Sequence, residues 1–308
     1  MSTSISHMLN TLNDSLSHII YGKPLETRQA LTCLLAGGHL LIEDLPGMGK
    51  TTLAQGLAKV FSLQFQRVQF TSDLLPADII GSSIFNQASS DFVFREGPLF
   101  TQVLLADEIN RASPKTQSAL LEAMGEYQVT ADGNSYPLEK PFFVIATQNP
   151  LHQSGTFPLP ESQLDRFMMR LSLGYPTHEA ERLLLQGGST YTALAELSAV
   201  MSVEELLAIQ ASVYQVTVSD SLLDYLQRLL RFTREYSGFD AGLSPRAALS
   251  WLHCAKAWAL MHQRDYVIPD DLQALIVPVI GHRLLPKENQ AAVASALDTM
   301  VRAVDVIE

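Results

Sequence analysis

The sequence predicts an α/β fold, a mostly parallel sheet with helices on both sides, followed by a smaller domain built of helices. Short continuous apolar runs at 103–106 and 142–146 are typical of strands covered on both faces. Strand patterns alternate with helical periodicity as far as Leu173, and almost only helical periodicity follows the break at 174–176. Because 308 residues usually form more than one domain, we expect one domain over 1–175 and a second over 176–308.

In the first domain, apolar spacing predicts a helix over 25–36 that ends at Gly37 and Gly38, followed by a strand over 39–42. A glycine-containing loop comes next. The predicted order then continues with a helix over 52–61, a strand over 64–70 and, between the two apolar runs, a helix over 114–124 with Ser113 as its cap.

In the second domain, helical periodicity recurs with polar residues placed to cap the helices. The predicted helices cover 202–213, 219–236, 245–261, 269–275 and 288–304, with Thr177, Ser202, Ser219 and Ser244 as N-caps. A small helical bundle is therefore expected after residue 175.

Composition limits the kind of protein this is. An apolar fraction of 47% with 17% charged residues indicates a folded chain, and the net charge of −11 argues against a surface made mainly to bind nucleic-acid phosphates. Cys33 and Cys254 lie far apart in apolar helical stretches, which favours buried small side chains and suits a reducing cytoplasm. We find no secretion signal and no apolar run of about 18 residues, so we expect a cytoplasmic protein without membrane insertion.

The loop 44–51 has the composition of a phosphate-binding site. Gly47 and Gly49 let backbone N–H groups approach an anion, and the following helix adds the positive end of its dipole. Lys50 is then placed to contact the β- and γ-phosphates, and the Thr51 hydroxyl to bind Mg²⁺. The full pattern G-x-x-x-x-G-K-[ST] has a glycine where this chain has Asp44, so the match is incomplete there.

Two further strands end in polar residues suited to nucleotide hydrolysis. Asp107 and Glu108 follow the apolar run 103–106, and ligands of open α/β sheets bind beyond the carboxyl ends of strands. Asp107 is expected to hold Mg²⁺ through its water shell, and Glu108 to orient or deprotonate the attacking water. Asn149 follows the run 142–146 and would bring an amide to the same edge.

Several arginines are candidates for stabilising charge on a transferred phosphoryl group, which a neighbouring subunit often does. Arg166 lies at the end of a short predicted helix just before the next strand, Arg170 lies nearby, and Arg111 follows the acidic pair. Arg246, at the start of the helix over 245–261, is placed to reach a nucleotide bound by its own chain. Each of these arginines alone is more typical of a surface ion pair, whereas four of them at these positions favour a role at the nucleotide.

With these residues the chain resembles the AAA+ ATPases and, within them, the MoxR family, over nearly its whole length. The resemblance is carried by Gly97-Pro-Leu-Phe100, Leu105-Ala-Asp-Glu-Ile-Asn-Arg-Ala112, Pro114-Lys-Thr-Gln117, Leu120-Leu-Glu-Ala-Met124, Ala146-Thr-Gln-Asn-Pro150 and Gly155-Thr-Phe-Pro-Leu-Pro-Glu161.

The resemblance implies a role for each candidate residue. The implied ATP-binding residues are Tyr21 and Gly22 near adenine and Pro46, Gly47, Met48, Gly49, Lys50, Thr51 and Thr52 in the Walker A loop. Asp107 and Glu108 correspond to Walker B, Asn149 to sensor 1, Arg166 to the arginine finger and Arg246 to sensor 2. Thr51 and Asp107 would hold Mg²⁺. Members of the family often carry an acidic residue near the position of Asp44.

The resemblance also implies an assembly and a cellular role. The fold would be an AAA+ P-loop core with a helical lid, a helix-2 insert around 84–94, and a hairpin over 127–136 with Asp132-Gly133-Asn134 as its turn. The arginine finger implies a homo-oligomeric ring, usually a hexamer. The family implies chaperone-like remodelling, assembly or metal-cofactor maturation of a protein partner, typically one with a von Willebrand factor A domain.

Two other functions use the same residues. A nucleic-acid motor could share this ATPase core, with the hairpin 127–136 contacting DNA, although that hairpin contains no Lys or Arg. A nucleotide-dependent scaffold would need binding without hydrolysis, and the presence of both Glu108 and Arg166 argues against it.

Overall fold

The computed structural model describes residues 3–88, 90–149, 155–186, 190–287 and 290–306. Its central sheet has five parallel strands in the order β2-β5-β8-β1-β9. The strands are β1 (Leu40–Glu43), β2 (Phe65–Gln69), β3 (Gly81–Asn86), β4 (Asp91–Glu96), β5 (Val103–Asp107), β6 (Gln128–Ala131), β7 (Asn134–Pro137), β8 (Phe143–Gln148), β9 (Met169–Leu171), β10 (Phe239–Ala241) and β11 (Leu285–Pro286).

Helices surround this sheet and make up most of the C-terminal region. They are α1 (Thr3–Ser17), α2 (Pro24–Leu35), α3 (Lys50–Val60), α4 (Pro76–Ile80), α5 (Pro114–Glu126), α6 (Glu161–Leu164), α7 (His178–Leu185), α8 (Thr190–Glu196), α9 (Val203–Val213), α10 (Asp220–Glu235), α11 (Pro245–Met261), α12 (Pro269–Ala274) and α13 (Gln290–Ala303), with a 3₁₀ turn at Ile109–Arg111 and a π-helical turn at Ile276–Ile280. The first two residues of the predicted helix 288–304 lie outside the described part of the chain.

Side chains of the central strands alternate between two hydrophobic cores, as the period of two in a strand requires. In β5, Val103 and Leu105 belong to a core shared with α1, α2 and α3, whereas Leu104 and Ala106 face a core shared with α5. All four are fully buried. The continuous apolar runs of the sequence therefore correspond to strands covered on both faces, as predicted.

The predicted helix caps are confirmed. Ser113, Thr177, Ser202, Ser219 and Ser244 each accept a hydrogen bond from the backbone N–H three residues later. These bonds satisfy one of the N–H groups that the first turn of a helix leaves without a partner.

Two antiparallel hairpins form separate two-stranded sheets outside the central sheet. The insert expected around 84–94 is the hairpin β3–β4, which spans 81–96 and follows the short helix α4. The second hairpin, β6–β7, turns at Asp132 and Gly133, which both have positive φ, so Asn134 belongs to the strand and not to the turn. Ser83 Oγ donates to Asp132 Oδ2 at 2.5 Å and joins the two hairpins.

The helical region contains more than the sequence predicted. Strands β10 and β11 form a small antiparallel ribbon between its helices. The core on the α2 side of the sheet continues into this region, where Trp251 is fully buried and donates its indole N–H to the Leu272 carbonyl at 2.9 Å. Cys33 and Cys254 are buried free thiols, as expected. Over the residues that the structure describes, no helix combines the length and apolarity needed to cross a bilayer.

Candidate functional site

A cleft of about 650 Å³ lies where β1, β5 and β8 end and α3 begins. It is lined by nearly all the residues that the sequence assigned to nucleotide binding. These are Tyr21, Pro46, Gly47, Met48, Gly49, Lys50, Thr51, Thr52, Asp107, Glu108 and Asn149, joined by Ile19, Ile20, Lys23, Asp44, Arg67, Gln69, Gly174, Pro176 and Leu184. One concave site thus collects groups from segments that lie far apart in the sequence.

The phosphate loop has the backbone that an anion cradle needs. Gly47 has φ +84° and Gly49 has φ +89°, conformations that residues with a side chain rarely adopt. A Cβ built at either position would meet no atom within 4 Å, so the space in front of the loop is open. Gly49 directly precedes α3, whose first N–H groups and dipole point toward that space.

Lys50 begins α3 and turns its side chain back onto the loop. Its Nζ donates to the carbonyl oxygens of Asp44, at 2.7 Å, and Leu45, at 3.1 Å. Burial lowers the pKa of Lys50, and the nearby carboxylates of Asp44, Asp107 and Glu108 oppose that shift. The ammonium group is therefore held at the mouth of the loop by neutral carbonyls that an anionic ligand can replace.

Asp44, the residue that departs from the general glycine pattern, has a structural role in the loop. Its buried carboxylate accepts hydrogen bonds from the Leu173 N–H, from the Gly174 N–H at 3.2 Å and from Ser172 Oγ at 3.1 Å. A glycine could make none of these bonds. Asp44 thus ties the phosphate loop to the segment that leaves β9 toward the helical region.

We expect Asp44→Ala to lower the free energy of unfolding by about 1–3 kcal/mol, because the buried Leu173 N–H loses its acceptor. Chemical denaturation monitored by circular dichroism measures this change. Asp298→Ala, which removes an exposed acid on α13, serves as the matched control. An Asp44→Ala protein as stable as the Asp298→Ala protein would contradict the structural role.

The acidic pair at the end of β5 is fixed by residues from two neighbouring strands. Asp107 accepts from Thr147 Oγ1 and from Arg67, each at 2.6 Å. Glu108 has φ +56°, a left-handed backbone conformation that is energetically unfavourable for a residue with a side chain. Its N–H donates to Thr147 Oγ1 at 2.9 Å, so one hydroxyl positions both acids.

The Glu108 carboxylate itself is held by two donors. Gln69 Nε2 donates to Glu108 Oε2 at 3.1 Å and Arg111 at 2.9 Å. Sequence reasoning placed Arg111 near the acids but missed Gln69, Arg67 and Thr147. Gln69 could have been predicted, because the sequence indicates a strand at β2 and parallel strands end at the same edge of a sheet. The structure pairs Gln69 with Asp107 in the parallel register of β2 and β5.

The two residues expected near adenine, Tyr21 and Gly22, lie in different surroundings. Tyr21 lines the cleft, whereas Gly22 does not. Gly22 has φ +70°, and a Cβ there would come within 2.9 Å of Ala180 Cβ and 3.2 Å of Thr177 Oγ1. Gly22 therefore allows close packing of the chain against the start of α7.

None of the four predicted arginines lines the cleft. Arg166 donates to the Leu121 carbonyl of α5 at 2.9 Å and packs against Gly125. Arg246 is 62% exposed and lies 3.9 Å from Asp165, the residue before Arg166. Arg246 therefore lies away from the cleft of its own chain in this arrangement, and its contact with a nucleotide stays a prediction. Arg170, another candidate, pairs with Glu43 at 3.1 Å.

Comparison with known proteins agrees with the fold. Residues 39–169 match the model of the ATPase family associated with various cellular activities (AAA), and residues 231–302 match the AAA lid domain. The five-stranded parallel sheet, the phosphate loop and this lid define the chain as an AAA+ ATPase.

Relatives over most of the chain narrow the class. The chain is 40% identical to the Chaperone MoxR1 of Mycobacterium tuberculosis, over 91% of this chain and 76% of that protein, and 44% identical to YeaC of Bacillus subtilis, over 90% and 87%. A crystal structure of a protein from Cytophaga hutchinsonii assigned as an ATPase superposes with a TM-score of 0.90 and 37% identity, covering 99% of this chain and 96% of that one. The chain belongs to the MoxR family of AAA+ ATPases.

Proposed function

We propose that this protein binds ATP with Mg²⁺ in the cleft and hydrolyses it to ADP and phosphate. The observation that carries the proposal is the convergence of the open glycine loop, Lys50 and Thr51 with the fixed acids Asp107 and Glu108 in one cleft. Phosphoryl transfer is catalysed mostly by positioning the reactants and by stabilising charge electrostatically. The glycine loop, the ammonium group, the hydroxyl and the two carboxylates are groups that can do both.

The donor set fits a nucleotide-bound magnesium ion. Thr51 offers a hydroxyl at the start of α3, and Asp107 offers a carboxylate at the end of β5, both lining the cleft. Oxygen ligands of this type, few in number and completed by phosphate oxygens and water, are what Mg²⁺ prefers. The ion, when bound, neutralises phosphate charge. Arg67 contacts the same carboxylate of Asp107 at 2.6 Å, so this carboxylate is already paired with a cationic side chain in the single chain.

Glu108 is the proposed general base or water-orienting group. Gln69 and Arg111 hold its carboxylate, and Thr147 holds its backbone, so its position is determined from three directions. A carboxylate fixed in this way can accept a proton from the attacking water molecule, or it can orient that water so that the water's lone pair points at the γ-phosphate. Asn149, at the end of β8 and lining the same cleft, is proposed to contact the γ-phosphate or the water.

We further propose that the active form is a homo-oligomeric ring, with six subunits as the family implies. Arg166 and Arg246 support this idea because both lie outside their own cleft, and Arg246 lies 3.9 Å from Asp165, the residue that precedes Arg166 in the sequence. In a ring they would stabilise the nucleotide of the adjacent subunit. Such a machine would act in the cytoplasm on a protein partner, remodelling it, assembling it or maturing its metal cofactor. The name Chaperone MoxR1 for a 40% identical relative supports a chaperone-like role, and a von Willebrand factor A domain is the proposed feature of the partner.

Purified protein is expected to hydrolyse ATP when Mg²⁺ is present and to lose turnover when EDTA removes it. Turnover should be unchanged by single- or double-stranded DNA, because β6 and β7 carry no basic residue for phosphates. Strong stimulation by DNA would favour the nucleic-acid motor instead. Tight ATP binding without any turnover by assembled rings would favour the scaffold.

A further inference from the structure

An apolar groove runs between α10 and α11 in the lid. It has a volume of about 740 Å³. Leu249, in its wall, is 69% exposed and Leu223 is 37% exposed, which is unusual for two leucines that share one groove. Arg231 and Arg234 line the end of the groove that lies toward the C-terminus of α10, accompanied by a single acid, Glu235. The groove therefore offers an apolar wall with a net positive end.

A complementary surface lies on α7. In this helix only Ala180 is buried, where it packs against Gly22. The three consecutive leucines Leu183, Leu184 and Leu185 are 51%, 37% and 83% exposed. The first turn carries Glu179 and Glu181. Because residues four apart share a side of a helix, Glu181 and Leu185 project together.

These two surfaces match each other in chemistry and in arrangement. The exposed leucines of α7 correspond to the leucine wall of the groove, and the acids of its first turn correspond to Arg231 and Arg234. Leu185 and Leu249 both remain largely exposed within one chain, so neither covers the other. Burying such exposed leucines against each other removes apolar surface from water, which favours association.

We propose that α7 of one copy of this chain docks into the α10–α11 groove of a second copy. Leu185 enters the apolar wall near Leu249, and Glu181 approaches Arg231. A contact between two different surfaces of identical chains is head-to-tail, and it generates a ring when the rotation closes. This inference rests on the proposed ring and names the surfaces that form it.

The docking also accounts for the position of Arg246. Leu184 of α7 lines the nucleotide cleft, and Arg246 is the second residue of α11, next to Pro245 at the charged end of the groove. A groove seated on a neighbour's α7 would bring Arg246 toward that neighbour's cleft. The nucleotide that Arg246 contacts would then be bound by another subunit. This arrangement explains why Arg246 is exposed in the single chain.

Cross-linking between single-cysteine variants tests the contact. Cys33 and Cys254 are fully buried, so an introduced exposed cysteine is the reactive thiol. Leu185→Cys and Leu249→Cys proteins, purified separately and mixed with ATP, Mg²⁺ and a short bis-maleimide, should form a covalent dimer that neither forms alone. Val277→Cys, at another exposed lid position (60%), replaces Leu249→Cys in the control and should give little dimer.

Exchanging the charges of Arg231 and Glu181 tests the contact independently, with ring assembly measured by sedimentation. Arg231→Glu and Glu181→Arg are each expected to weaken assembly by about tenfold or more, and mixing the two proteins should restore it at the interfaces where the exchanged charges meet. Rings that assemble normally without the Leu185–Leu249 cross-link would overturn the docking and leave the ring intact, pointing to another occupant such as the client protein. A wild-type chain that stays monomeric with ATP would overturn both docking and ring, whereas ATP binding in the cleft is measured separately.

Discussion

The Glu108→Gln protein should bind ATP as tightly as the wild type and hydrolyse it at least about 100-fold more slowly, because the amide cannot accept a proton from water. Binding should persist because the phosphate loop and Lys50 are separate from this side chain. Gln69 and Arg111 donate to the Glu108 carboxylate, and the remaining amide oxygen can still accept one of these bonds. The fold is therefore expected to survive the change.

Fluorescent nucleotide binding and steady-state phosphate release distinguish these effects. Glu139→Gln, which changes an exposed acid that does not line the cleft, is the matched control and should keep normal turnover. If Glu108→Gln and wild-type rings hydrolyse ATP at the same rate, Glu108 is neither the general base nor the water-orienting group. The same protein, holding ATP without turnover, is the form best suited to capturing the client protein.

The Arg166→Ala protein should show the second large effect, a fall in turnover of about 10³-fold or more in assembled rings, as expected for removal of an arginine finger. ATP affinity of the isolated subunit should be nearly unchanged, because Arg166 does not line its own cleft. Loss of the bond from Arg166 to the Leu121 carbonyl is a small structural cost.

Arg302→Ala, a change at an exposed arginine on α13, provides the comparison for Arg166→Ala. Sedimentation confirms that the variant rings assemble, so that the turnover of intact rings is compared. Weaker ATP binding by monomeric Arg166→Ala would mean that Arg166 acts within its own chain. Normal turnover in Arg166→Ala rings would mean that another arginine, such as Arg170 or Arg111, supplies the charge.

Much of this architecture was predictable because local patterns and long-range packing agree. The continuous apolar runs at β5 and β8 indicated strands covered on both faces, and polar residues before helical patterns indicated the caps, of which Ser244 before α11 is one example. The positions of Lys50, Asp107 and Glu108 in one cleft followed from the rule that parallel strands end at one edge.

The parts that sequence reasoning missed depend on contacts between distant segments. Asp44 looked like a defect in the glycine pattern, and only the fold brings the Leu173 and Gly174 N–H groups to its carboxylate. Thr147 is an ordinary strand residue until register places its hydroxyl between Asp107 and Glu108. The location of Arg246 depends on how the lid packs against the sheet, which no local pattern in α11 encodes. The domain boundary between 175 and 176 remains a prediction.

The central claim is that each ATPase site is shared between two subunits, and mixing two inactive proteins tests it most directly. Lys50→Ala subunits lack a working cleft but keep Arg166, and Arg166→Ala subunits keep the cleft. In rings mixed in equal amounts, about a quarter of the head-to-tail interfaces combine an intact cleft with an intact arginine. ATP turnover should therefore return in the mixture, to an extent that follows the mixing ratio. No recovery at any ratio, in mixed rings shown to assemble, would contradict a shared site.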